Sequence, residues 1–89
     1  MKVEDAFCEV RDPAVVRALL RELLTPAELA ALRRRWMIVR LLQEGVSQRC
    51  IATRLRCSLC NVTRGARMLK KTRCVSRDLL AGISQGIGK

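Results

Sequence analysis

The stretch from Val46 to Leu69, VSQRCIATRLRCSLCNVTRGARML, limits what this chain can fold into more than any other. It holds two short runs of helical apolar spacing, each preceded by a serine and joined by a tight turn. Ser47 can cap the first run, with Ile51, Ala52 and Leu55 facing inward. Ser58 can cap the second, with Val62, Ala66 and Leu69 inward. Small Ala52 falls where two crossing helices need close approach, so the spacing predicts a helix-turn-helix.

Charge supports that reading. Residues 1–44 carry eight Lys and Arg against seven Asp and Glu, whereas residues 45–89 carry ten against one. Between Glu44 and Asp78 stand Arg49, Arg54, Arg56, Arg64, Arg67, Lys70, Lys71, Arg73 and Arg77, with no acid among them. So large an uncompensated field costs stability unless a polyanion screens it, and duplex DNA is the polyanion a helix-turn-helix meets. A solvated basic face without a specific partner is the blander reading, and the coincidence of charge with motif argues against it.

A chain of 89 residues makes one domain at most and buries a modest fraction of its surface, so its fold leans on a partner subunit, a ligand or a staple. With one Phe, one Trp and no Tyr, the core must be aliphatic. Apolar positions recur at three and four and never alternate over a run, so we expect an all-α fold of five to six helices. Glu4 and Asp5 stand where a signal peptide needs cations and no stretch is apolar enough to span a bilayer; the expected location is cytoplasmic, without a membrane. A basic amphipathic protein at an anionic membrane surface is the third class weighed, but the apolar faces are needed for the core. The cysteines are Cys8, Cys50, Cys57, Cys60 and Cys74, an odd number that argues against a disulfide framework. Cys57-x-x-Cys60 could open a zinc site, yet the chain has no histidine and the other thiols lie at no ligand spacing, so no metal is expected. Catalysis is not expected either, because the few carboxylates sit singly, away from the motif and at helix starts.

In chain order, Val3, Ala6, Phe7 and Val10 fit a brief helix, and Asp12-Pro13 opens a second through Val15, Val16, Leu19, Leu20 and Leu23. Thr25-Pro26-Ala27-Glu28 is a capping box that starts a third helix running to about Glu44 and ended by Gly45. Leu29, Leu32, Trp36, Val39 and Leu42 or Gln43 mark its apolar side, with Trp36 as a core anchor. Arg33, Arg34 and Arg35 point in three directions about 100° apart, and on periodicity alone all three face solvent. After a turn at Thr72-Arg73, the set Val75, Leu79, Leu80 and Ile83 fits a final short helix, and Gly82, Gly86 and Gly88 favour a fraying end.

The residues LLTPAELAAL at 23–32, Arg35, the pair Ile38-Val39, EGVSQR at 44–49, TRG at 63–65 and Leu69-Lys70 together resemble the tryptophan repressor family. The likeness is close over about half the chain and covers most of the rest in outline. It implies an intertwined homodimer: dimerisation helices in 1–45, the helix-turn-helix in 46–71, and a short helix and tail in 72–89 of a single domain. It implies sequence-specific binding to double-stranded DNA and repression of tryptophan-related genes, with L-tryptophan, a small amino-acid ligand, as corepressor. Arg35 and Arg64 match the arginines that enclose the indole ring, the second of which also meets the carboxylate. Leu24 and Thr25 match the segment that approaches the amino group from the other subunit, and Gly65 leaves room beside the ring. Gln48, Arg49, Leu59, Cys60 and Thr63 match DNA contacts. Asn61, in place of a threonine, and Arg67 complete that set, while charge alone adds Arg54 and Arg56 as phosphate neighbours. A symmetric dimer implies a two-fold site with half-sites roughly one helical turn apart.

The chain also departs from the pattern. Met68 replaces a serine near the ligand's amino group and Glu22 replaces an apolar pocket residue. A bulky side chain without a useful hydrogen bond alters a small pocket, so a ligand-independent DNA-binding regulator on the same fold stands as the alternative. Arg56 fills a turn position where glycine is usual; if the position needs positive φ, arginine there costs about 1 kcal/mol.

Overall fold

Each start signal in the sequence is used. The computed structural model describes residues 1–71 and 73–85, and these form six α-helices and no strand: α1 (Val3–Glu9), α2 (Pro13–Leu23), α3 (Pro26–Gln43), α4 (Gln48–Leu55), α5 (Leu59–Leu69) and α6 (Val75–Gln85). The first amides of a helix have no carbonyl to bond within it, and side chains supply the acceptors. Asp12 Oδ1 accepts from the Ala14 N–H at 2.9 Å, and Pro13 follows at the first helical position. At the start of α3 the box is reciprocal: the Glu28 N–H donates to Thr25 Oγ1 at 3.1 Å, and the Thr25 N–H donates to Glu28 Oε1 at 2.8 Å. Ser47 Oγ accepts from Cys50 N–H at 3.2 Å and Ser58 Oγ from Asn61 N–H at 3.3 Å. The last helix uses a thiol instead, with Cys74 Sγ accepting the Arg77 N–H at 3.4 Å.

Helices α3 and α4 end in the same way, with a left-handed residue that turns the chain and two backbone bonds that close the last turn. After α3 that residue is Gly45 at φ 92°, with Gly45 N–H bonded to Leu42 O and Val46 N–H to Leu41 O. After α4 it is Arg56 at φ 51°, with Arg56 N–H bonded to Thr53 O and Cys57 N–H to Ala52 O. The positive φ suspected from the sequence at Arg56 is therefore present.

The described chain divides into two compact units, Met1–Leu32 and Arg33–Lys89. In the first, α1 and α2 have no buried residue, and Val15 and Leu23 stand exposed. In the second, Ile38, Ile51 and Val62, one each from α3, α4 and α5, form a core, and Leu41, Leu42, Val46, Ala52, Leu55 and Cys57 pack against it. Ile51 and Val62 were expected inward, and both are fully buried.

One expectation is corrected. The apolar line drawn along α3 is only partly the buried one: Leu29 and Val39 are buried, but Leu32 is exposed and Trp36, at 37 % exposure, is no core anchor within the chain. The deepest residue of α3 is Ile38, at 2 %. The adjacent pairs Ile38-Val39 and Leu41-Leu42 move the packed side of the helix away from the Leu32–Trp36 line, because successive residues turn about 100°. The final short helix is present as α6, where Val75 and Leu79 stand exposed, at 75 % and 46 %. Thr72, the side chain of Ile83, and the glycines Gly86 and Gly88 lie outside the described residues.

Candidate nucleic-acid interface

The core fixes which sides of α4 and α5 face outward. With Val62 buried, a turn of about 100° per residue puts Cys60, Arg64 and Arg67 on the opposite face of α5, and all three are exposed. Leu59 and Asn61 flank them, also exposed, and Thr63 is half-buried at the side. On α4, Gln48 is half-buried at the first position, Arg49 and Arg54 are exposed, and Arg56 is exposed in the turn.

One hydrogen bond, not legible in the sequence, joins two of the expected DNA contacts. Thr63 Oγ1–H donates to Gln48 Oε1 at 3.0 Å, across the angle between α5 and α4. With its carbonyl oxygen engaged, Gln48 keeps its amide N–H groups as donors, the polarity that a phosphate oxygen needs. The bond also ties the first turn of α4 to the middle of α5.

The acids nearest this surface do not neutralise it. Glu44 lies 3.6 Å from Arg40 and Asp78 lies 3.8 Å from Arg77, so among the described residues neither ion pair takes a cation from α4 or α5.

The residues expected around a ligand are distributed as follows. Arg35 on α3 and Arg64 on α5 are exposed, and Met68 is half-buried on α5. Leu24, half-buried, and Thr25, exposed, lie at the α2–α3 junction in the first unit, with Thr25 Oγ1 engaged in the helix cap. Gly65 faces α3: a Cβ there would come within 3.1 Å of Ile38 Cγ2 and 3.4 Å of Leu42 Cδ1. The missing side chain thus serves the approach of α5 to α3.

Among the described residues no three or more His, Cys, Asp and Glu gather where a metal could sit, and no helix is long and apolar enough to cross a membrane. All five cysteines are free, with Cys8 and Cys60 exposed.

No curated protein and no solved structure matches the chain. The family model described as Trp repressor protein matches residues 2–81, a span that takes in the whole of α1 to α5 and most of α6. A match of that extent over 89 residues establishes that the chain belongs to the Trp repressor family of DNA-binding transcriptional repressors.

Proposed function

We propose that this protein represses transcription as a homodimer that sets two α4–α5 pairs in successive major grooves of a two-fold operator. In this reading Gln48, Arg49, Arg54 and Arg56 meet phosphates, and Leu59, Cys60, Asn61, Thr63 and Arg67 lie at the groove edge. The observation that carries it is the Thr63–Gln48 bond, which ties together two helices whose outward cations have no acid paired to them among the described residues. Selection from a pool of random-sequence duplexes tests it: the recovered sequences should share a two-fold motif, and affinity should fall steeply with salt. Recovery of unrelated sequences would leave only non-specific binding.

In the finer form of the proposal L-tryptophan is the corepressor, held between Arg35 and Arg64 beside Gly65 and Met68, with Leu24 and Thr25 of the second copy closing the site. Calorimetry at millimolar L-tryptophan on folded, dimeric protein should register heat, and Arg35→Ala should remove the ligand dependence of DNA binding.

A second reading, ligand-independent binding, draws support from Gly65. A Cβ at Gly65 would meet Ile38 Cγ2 at 3.1 Å and Leu42 Cδ1 at 3.4 Å, so α5 packs closely on α3 beside the position the first reading gives to the ring, and Met68 adds bulk there. Under this reading no heat is seen, and the Arg35→Ala protein retains the selected duplex as the parent does.

A further inference from the structure

Charge counting groups Arg77 with the cations that await a phosphate, but its hydrogen bonds give it other work. Its Nη1 donates to Leu69 O at 3.0 Å and to Lys71 O at 2.9 Å. Leu69 is the last residue of α5, and Lys71 lies in the connector that follows. The final carbonyls of a helix have no amide partner within it, and a cation there also meets the negative end of the helix dipole. Lys70 and Lys71 offer their own N–H groups one turn back, to Arg67 O and Met68 O at 3.2 Å each, so the last turn of α5 is closed from within and then tied from α6. Arg77 is itself held in place: its N–H is bonded to Cys74 Sγ, Cys74 is buried, and its Nε lies 3.8 Å from Asp78 Oδ1.

We propose that Arg77 is a positioning residue for the DNA-reading helix. Through its guanidinium, α6 fixes the last turn of α5, and with it the angle at which Leu59, Cys60 and Arg67 meet a duplex. Arg77 then contributes to affinity without touching DNA. The proposal rests on α5 being the reading helix of an operator-binding protein.

The test compares the full-length parent with Arg77→Ala, Arg77→Lys and, as a control, Arg73→Ala, which removes an exposed cation of the same connector. The probes are a duplex selected by the parent from random sequence and an unrelated duplex of equal length. Loss of charge-assisted bonds at the helix end predicts that Arg77→Ala binds the selected duplex roughly tenfold more weakly and the unrelated duplex nearly as the parent does. Its slope of log affinity on log salt stays that of the parent, whereas loss of a phosphate-facing cation lowers the slope by about one per chain, the change that Arg73→Ala shows if its exposed charge meets the backbone. In DNA-free protein, amide exchange in the last turn of α5 rises in Arg77→Ala, stays at the parent level in Arg73→Ala, and is partly restored in Arg77→Lys. A slope that falls in Arg77→Ala as in Arg73→Ala would make Arg77 a phosphate contact and overturn the proposal; so would unchanged exchange in α5. Should Arg77→Ala fail to fold, Arg77→Lys carries the same measurements against the parent. A parent that binds no duplex would end the operator-binding reading, and the exchange experiment would still decide what Arg77 does.

Discussion

Arg56 is a cationic side chain on a backbone that favours glycine. The left-handed region crowds the Cβ of every L-residue, so Arg56 at φ 51° is held at a cost of about 1 kcal/mol, while Gly45 performs the same turn after α3 without that cost. Replacing Arg56 with glycine should raise the thermal midpoint by roughly 4–8 °C, the shift that about 1 kcal/mol produces in a domain of this size. The same change should lower the salt dependence of DNA binding by about one per chain, if the arginine faces a phosphate. Scanning calorimetry and binding titrations at several salt concentrations measure the two effects separately. The strain could be suspected from the resemblance, in which glycine is usual at this turn position. The resemblance gave Gly65 a place beside the ring, but its packing against Ile38 and Leu42 of α3 was not legible in the sequence. The Thr63–Gln48 bond was equally hidden, since it joins residues fifteen positions apart by an angle between helices that no local pattern encodes.

Helices are where the sequence was most legible, because their ends are decided locally. Asp12, Thr25 with Glu28, Ser47 and Ser58 each cap the helix they were read to cap. Ser58→Ala should cost about 1 kcal/mol, and because α5 begins there, increased amide exchange should be confined at first to residues 59–62. An exchange increase spread evenly over α4, α5 and α6 would mean that the cap supports the whole unit and not one helix end. Faces were harder to read than ends. Helix α3 carries Leu32 and Trp36 on one line and Ile38-Val39 and Leu41-Leu42 beside it, and periodicity cannot rank two apolar lines on one cylinder. Which line packs within the chain depends on α4 and α5, whose core residues Ile51 and Val62 meet Ile38. In α6 the cap was unreadable for a different reason: Cys74 takes a place that serine, threonine or aspartate usually fills.

An isolated chain leaves Val15, Leu23, Leu32, Trp36, Val75 and Leu79 exposed, which is more apolar side chain than a small domain gains by leaving in water. The homodimer proposed above predicts that the unfolding midpoint rises with chain concentration, as mass action requires when only the folded form associates. Trp36 offers an optical check, since the chain has one Trp and no Tyr. Its emission should move to longer wavelength as the protein is diluted through dissociation, and emission constant over that range would leave Trp36 outside the interface. The exposed Cys60, two residues into the face of α5 that opposes the core, has a practical consequence. A maleimide reagent has a native handle on the surface in question once Cys8 is changed to serine, with labelling at Cys60 read by peptide mass so that the half-buried Cys50 and Cys57 are counted apart. Duplex DNA should shield that thiol from alkylation. Labelling at an unaltered rate on a saturated complex would mean that a different side of the protein lies in the groove.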